Sequence, residues 1–204
     1  MLENVRADLE RARVINGLPP GWISRWVKTP LHPGAVAVMN FRFASWARRV
    51  QVPVLRQLLL LVSTILQKVV EVVTGVEISA RAEIGPGLVV HTTNGVYIAE
   101  TRIGRNCVVQ HGVAITHGVR SVGDNVYFGP GAKAIGRTSI GNNVIVVANS
   151  VVMTDVDDDL TVVGVPARIR WRNRAARAAA AATSILPGRD VDGAADLLSM
   201  LPLL

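Results

Sequence analysis

Aromatic side chains are scarce in this sequence: four tryptophans, two tyrosines and three phenylalanines among 204 residues. A core without rings must be built from Val, Ile, Leu and Ala, which suits many thin, similar layers better than a sandwich held by a few large anchors. Cysteine is scarcer still. Cys107 stands alone, so an internal disulfide is excluded and nothing argues for secretion. Acidic residues, 15 against 22 Lys and Arg, leave a net charge of +7. A basic surface attracts nucleic acid, anionic lipid and anionic small molecules alike, so charge alone chooses no partner. Long apolar runs are also missing. The most apolar stretch, Gln57 to Gln67, covers about 11 residues against the roughly 20 of a spanning helix. No membrane span is expected. That stretch is read as a buried or subunit-facing helix, with a helix lying on a membrane surface as the alternative. Met1-Leu2-Glu3-Asn4 leads into alternating charge, not an apolar run, so no signal peptide is read and the expected location is cytoplasmic.

Three regions are present. Residues 1–75 read as helical, over Glu3–Arg13, Pro33–Arg49 and Val54–Val73, with a break at Leu18-Pro19-Pro20-Gly21 and a stop at Gly75. Residues 76–167 follow a different period. Apolar residues recur every six positions at Ile78, Ile84, Val90, then Ile103, Val109, Ile115, then Val122, Phe128, Ala134, Ile140, Val146 and Val152. Four positions after an anchor stands a small or β-branched residue: Ala82, Cys107, Val126, Ala132, Thr138, Val144, Ser150. Such repeats cannot bury an apolar face singly and stack into a solenoid. Six residues per side and three sides per coil predict a triangular parallel β-helix. Residues 168–204 read as an Arg/Ala helix from Arg168 to Arg177 and a tail ending in the apolar Leu197–Leu204, which could cap the solenoid or meet a protein partner. The run Asp155, Asp157, Asp158, Asp159 reads as a solvated exit loop, and no metal is expected there.

The repeat slips twice. Val90 and Ile103 are 13 apart and Ile115 and Val122 are seven apart, so each gap holds one extra residue. Extra residues in a solenoid bulge outward as loops, where a binding site is sought. One loop holds His91-Thr92-Thr93-Asn94-Gly95. The other holds Thr116-His117-Gly118-Val119-Arg120-Ser121.

The repeat, the string Gly87-Leu88-Val89-Val90-His91-Thr92-Thr93-Asn94-Gly95-Val96, the element Gly164-Val165-Pro166-Ala167-Arg168, and His32-Pro33-Gly34 with Phe41-Arg42-Phe43-Ala44-Ser45-Trp46 resemble the hexapeptide-repeat acyltransferases, and within them the serine O-acetyltransferases. The likeness covers roughly residues 30–170. It implies a left-handed β-helix, acetyl-CoA as donor, a small-molecule hydroxyl acceptor and a homotrimer with sites between subunits.

The resemblance assigns His91 as the base. A hydroxyl must lose its proton as it attacks a thioester, and histidine suits that work near neutral pH. By the same resemblance Glu77 would orient His91 as a dyad partner, and His117 or His111 would serve as a second active-site histidine. CoA contacts fall at Ala132, Ala148, Gly164 and Arg168; Arg170, Arg172 and Arg174 read as a solvated face. Acceptor contacts fall at Val90, Asn94 and Arg120. Three departures from the family pattern weaken a serine pocket: Val90 replaces an aspartate, the loop that supplies an arginine is cut to His117–Ser121 with Arg120 as the one substitute, and Ala12–Gly17 lacks an acidic string. The leading reading is therefore acetyl transfer to serine or a serine-like hydroxyl. A sugar or polysaccharide precursor is the alternative, suggested by His111, and a non-catalytic scaffold is the reading from another class. With no recognised module, nucleic acid is not an expected partner.

Overall fold

Strands that sit about one coil apart in the chain pair side by side and parallel, as a computed structural model of the protein shows. The structure describes residues 2–172 except 20, 22 and 23. Three helices come first: α1 (Leu2–Ile15), α2 (Pro33–Ala47) and α3 (Pro53–Thr74). Pro33 and Pro53 occupy first-turn positions where no amide partner is needed, and Gly75, at φ 65°, closes α3 in the left-handed conformation that glycine adopts without strain.

The solenoid has three faces. Sheet A stacks β1 (Val76–Ile78), β4 (Val96–Ile98), β7 (Ala114–Ile115), β10 (Lys133–Ala134) and β13 (Val151–Val152). Sheet B stacks β2 (Glu83–Ile84), β5 (Arg102–Ile103), β8 (Ser121–Val122) and β11 (Ser139–Ile140). Sheet C stacks β3 (Val89–Val90), β6 (Val108–Val109), β9 (Tyr127–Phe128), β12 (Ile145–Val146), β14 (Leu160–Val163) and β15 (Arg168–Arg172). All twelve six-residue anchors are buried in one continuous core. The small residues four places later are buried too, because they fill the narrowing corners. At the B–C corner, left-handed asparagines stack: Asn125 Nδ2 donates to Asn143 Oδ1 at 3.1 Å, and Asn143 Nδ2 to Asp159 Oδ1 at 2.8 Å.

The helices cover the first coil, α1 on β3 of sheet C, α2 on β3 and β1, and α3 on β1 of sheet A. Ala12 and Ile15 of α1 pack on Val89, Val108 and Tyr127. A buried ion pair fastens them. Arg42 Nε donates to Asp8 Oδ2 at 2.8 Å, its guanidinium also donates to the Ile84 and Gly85 carbonyls, and the Gly87 and Leu88 amides donate to Asp8 Oδ1. Burial pushes the Asp8 carboxyl above its usual range, against the opposing pull of Arg42 and the two amides.

Three expectations change. Arg168–Arg172 is a strand, antiparallel to β14, because the open edge of sheet C offers ladder partners that outweigh the helix preference of an Arg/Ala segment. Residues 173–204, with the remainder of the expected helix and the apolar tail, lie outside the described residues. The acidic run is part of a coil: Val156 bridges to Ile140, and Asp155 and Asp158 accept the amides of Ser139 and Asn142. Finally, α3 spans 22 residues, long and apolar enough by length and composition to cross a membrane, and most of it is exposed in the chain.

Candidate active site

His91 follows β3 directly, at the corner where sheet C turns into sheet A. Val90 points inward and is buried, and the His91 amide donates to the Val109 carbonyl of the next coil at 3.0 Å. That register stacks His91 on Gln110. Nδ1 of His91 lies 3.2 Å from Oε1 of Gln110, and the Thr92 hydroxyl donates to the same oxygen at 2.9 Å. Oε1 is an acceptor, so Nδ1 carries the proton and Nε2 keeps its lone pair. Thr92 has one hydrogen, spent on Gln110. Its oxygen therefore accepts from the His111 amide at 2.8 Å and from Nδ1 of His111 at 3.1 Å. Gln110 is itself buried and also bonds Tyr127, whose phenol burial pushes up.

The helical region completes this corner. The first turn of α2 lies on β3 so closely that a Cβ at Gly34 would strike the Val90 carbonyl. His32, the N-cap residue two positions earlier, is thereby held near His91. Its Nδ1 is buried without a partner, and burial, with His91 nearby, holds its imidazole below the ordinary value.

The same corner continues down the solenoid. Successive paired coils place Thr92, His111, Pro130, Ala148 and Gly164 in one row, over four coil steps or about 19 Å. Ala148 is exposed, Gly164 has φ 103°, and the exposed Arg168 follows at the end of the row. This row is exposed at His111 and Ala148 and ends in the positive charge of Arg168.

Other predicted residues lie elsewhere. Ala132 is fully buried with its methyl in the core, so its side chain reaches no ligand; it belongs to the small corner positions. Glu77 sits at mid-β1 on the outer side of sheet A, in register with Tyr97, and makes no hydrogen bond to His91, whose Nδ1 is occupied by Gln110. His117 is at the A–B corner, where its Nε2 meets Tyr97 Oη at 3.1 Å. Arg120, at that corner too, donates twice to Asp155 at 2.7 and 2.8 Å and once to Ser139 Oγ at 3.0 Å. Asn94, at φ 81°, donates its amide to Thr74 and serves the turn after α3. Sequence reasoning did not assign Gln110, Thr92 or His32. The 19-residue coil from Val90 to Val109 would have paired His91 with Gln110; His32 stands in the His32-Pro33-Gly34 string, but nothing in the string points it at His91. Among the described residues no group of side chains could hold a metal ion.

No family model matches the chain. A serine acetyltransferase of Synechococcus elongatus is 38% identical over 150 residues, which is 70% of this chain and 59% of that protein's length. A serine acetyltransferase of Helicobacter pylori is 30% identical over 163 residues, 76% of this chain and 91% of its own. Among solved structures, Neisseria gonorrhoeae serine acetyltransferase in complex with serine superposes with a TM-score of 0.65 at 29% identity, over 82% of this chain and 68% of that one. A serine acetyltransferase complex with CoA gives 0.67 at 26% identity, over 83% and 69%. Agreement over nearly the whole of one relative and the shared coil architecture make this chain a member of the serine acetyltransferase family of hexapeptide-repeat acyltransferases.

Proposed function

We propose that the protein is an acetyl-CoA-dependent O-acetyltransferase with His91 as general base. The observation that carries this reading is the Gln110 hydrogen bond, which leaves the lone pair on Nε2 of His91 at the head of the corner row that runs to Ala148 and Gly164. The acceptor hydroxyl gives its proton to Nε2 while its oxygen attacks the thioester carbonyl. The tetrahedral intermediate collapses, the carbon–sulfur bond breaks, and the imidazolium returns the proton to the departing thiolate. Ala148, Gly164 and Arg168 fit the donor: a backbone edge for an extended arm and a cation for its phosphates. Glu77, His117 and Arg120, on other parts of the surface, would meet a site through a neighbouring copy, in the homotrimer that we infer.

Serine or a serine-like molecule is the leading acceptor, by kinship. A neutral hydroxyl compound such as a sugar is the second reading. The side chains bonded to or linked with His91 are Gln110, Thr92 and His111, none of them a carboxylate, and Val90 is turned into the core. An ammonium desolvated there would lack a counter-charge, at a cost of about 1.5–3 kcal/mol. Thiol release from acetyl-CoA, measured with serine, other amino acids and simple sugars, tests the assignment. Turnover with serine at ordinary efficiency supports the first reading and turnover with sugars alone the second. No release above background with any acceptor would remove the proposal.

A further inference from the structure

Helix α3 turns most of its apolar side outward. Against the chain it sets the buried Ser63 and Thr74, Gln67, whose amide donates to the Ile78 carbonyl at 3.0 Å, and Val70, which packs on the core. Its exposed side carries Val54, Leu55, Leu58, Leu61, Val62, Ile65, Leu66, Val69, Val72 and Val73. At 3.6 residues per turn these fall within about 140° of the circumference, one straight stripe about 29 Å long. The stripe exposes on the order of 1,000 Å² of aliphatic surface, where a monomer's largest patch is usually a few hundred.

Charge tells what covers it. Arg48 and Arg49 stand exposed on the turn into α3, and neither makes an ion pair among the described residues. The one acidic residue of the helix, Glu71, is already paired with Lys68. A second copy of this stripe would supply apolar cover without counter-charge for those arginines. An anionic lipid surface supplies both, and the chain's net charge of +7 favours it further.

We propose that α3 lies flat on an anionic membrane surface, its aliphatic stripe among the acyl chains and Arg48 and Arg49, on the turn that leads into it, at the headgroups. The helix stays fastened to the solenoid through Gln67 and α2 and holds the enzyme at the surface as a peripheral protein.

The test mixes the full chain with vesicles of phosphatidylcholine alone or with about 30 mol% phosphatidylglycerol, at about 0.1 and 0.5 M salt. Binding is expected to the anionic vesicles and to weaken in high salt. Arg48→Gln and Arg49→Gln should each weaken it roughly fivefold. Leu58→Gln with Ile65→Gln, both on the outward side, should weaken it by about tenfold or more with the solution mass by light scattering unchanged. No binding of the unaltered chain to anionic vesicles at low salt would overturn the proposal. So would a fall in solution mass on Leu58→Gln with Ile65→Gln, which would mean that a second copy covers the stripe.

Discussion

His91 and Gln110, one coil apart, meet with Nδ1 and Oε1 3.2 Å from each other. This contact does for His91 what the expected Glu77 carboxylate does not do within the chain. It selects the tautomer with a basic Nε2, but as a neutral partner it lends the imidazolium no charge.

Gln110→Ala should therefore lower kcat about tenfold, the worth of one neutral hydrogen bond, and leave KM for acetyl-CoA unchanged. Gln110→Glu should retain or raise activity, since a carboxylate there both orients and stabilises the imidazolium. Steady-state kinetics of the two variants separate orientation from charge. Equal activity in wild type and Gln110→Ala would deny Gln110 any part.

Arg42→Ala should destabilise the fold by about 3–5 kcal/mol, because it leaves the buried Asp8 carboxylate without its counter-charge, held only by the Gly87 and Leu88 amides. Replacing both residues, Asp8→Leu with Arg42→Met, should recover most of that loss. Urea unfolding followed by circular dichroism reads both. A single variant as stable as wild type would show that the ion pair does not fasten the helices to sheet C.

The solenoid was legible because its period is short and repeated twelve times, and the helices because their apolar spacing and prolines are local signals. The site was legible in part. His91 stood out at a slip in the repeat, but its partner lies 19 residues on, and His32 arrives from another region through the contact of Gly34 with Val90. Ala132 was assigned a ligand although it shares the inward corner position of Cys107 and Val126. Arg168–Arg172 has the composition of a helix, and only the free edge of β14 makes it a strand.

Cys107 should be silent toward thiol reagents in the folded protein. Burial pushes its thiol up to about 12, so almost no thiolate exists near neutral pH. Titration with a disulfide reagent should find no reactive thiol before denaturation and one after. Rapid native labelling would contradict the buried corner, and silence leaves released CoA as the sole thiol in an activity assay.

Stability should fall on acidification in a way that depends on His32. Burial and His91 depress its folded value, so below about 6.5 the unfolded chain binds more protons than the folded one. Stability then rises with pH up to that point and its His32 share is flat above it. His32→Gln should reduce the loss between about pH 7.5 and pH 5, read from urea midpoints. An unchanged pH dependence would show that the imidazole titrates freely.

His91 as general base is tested most directly by thiol release in His91→Ala with the acceptor that wild type uses best, alongside CoA binding by calorimetry. Turnover should fall about a thousandfold with CoA affinity unchanged. Turnover equal to wild type would contradict it.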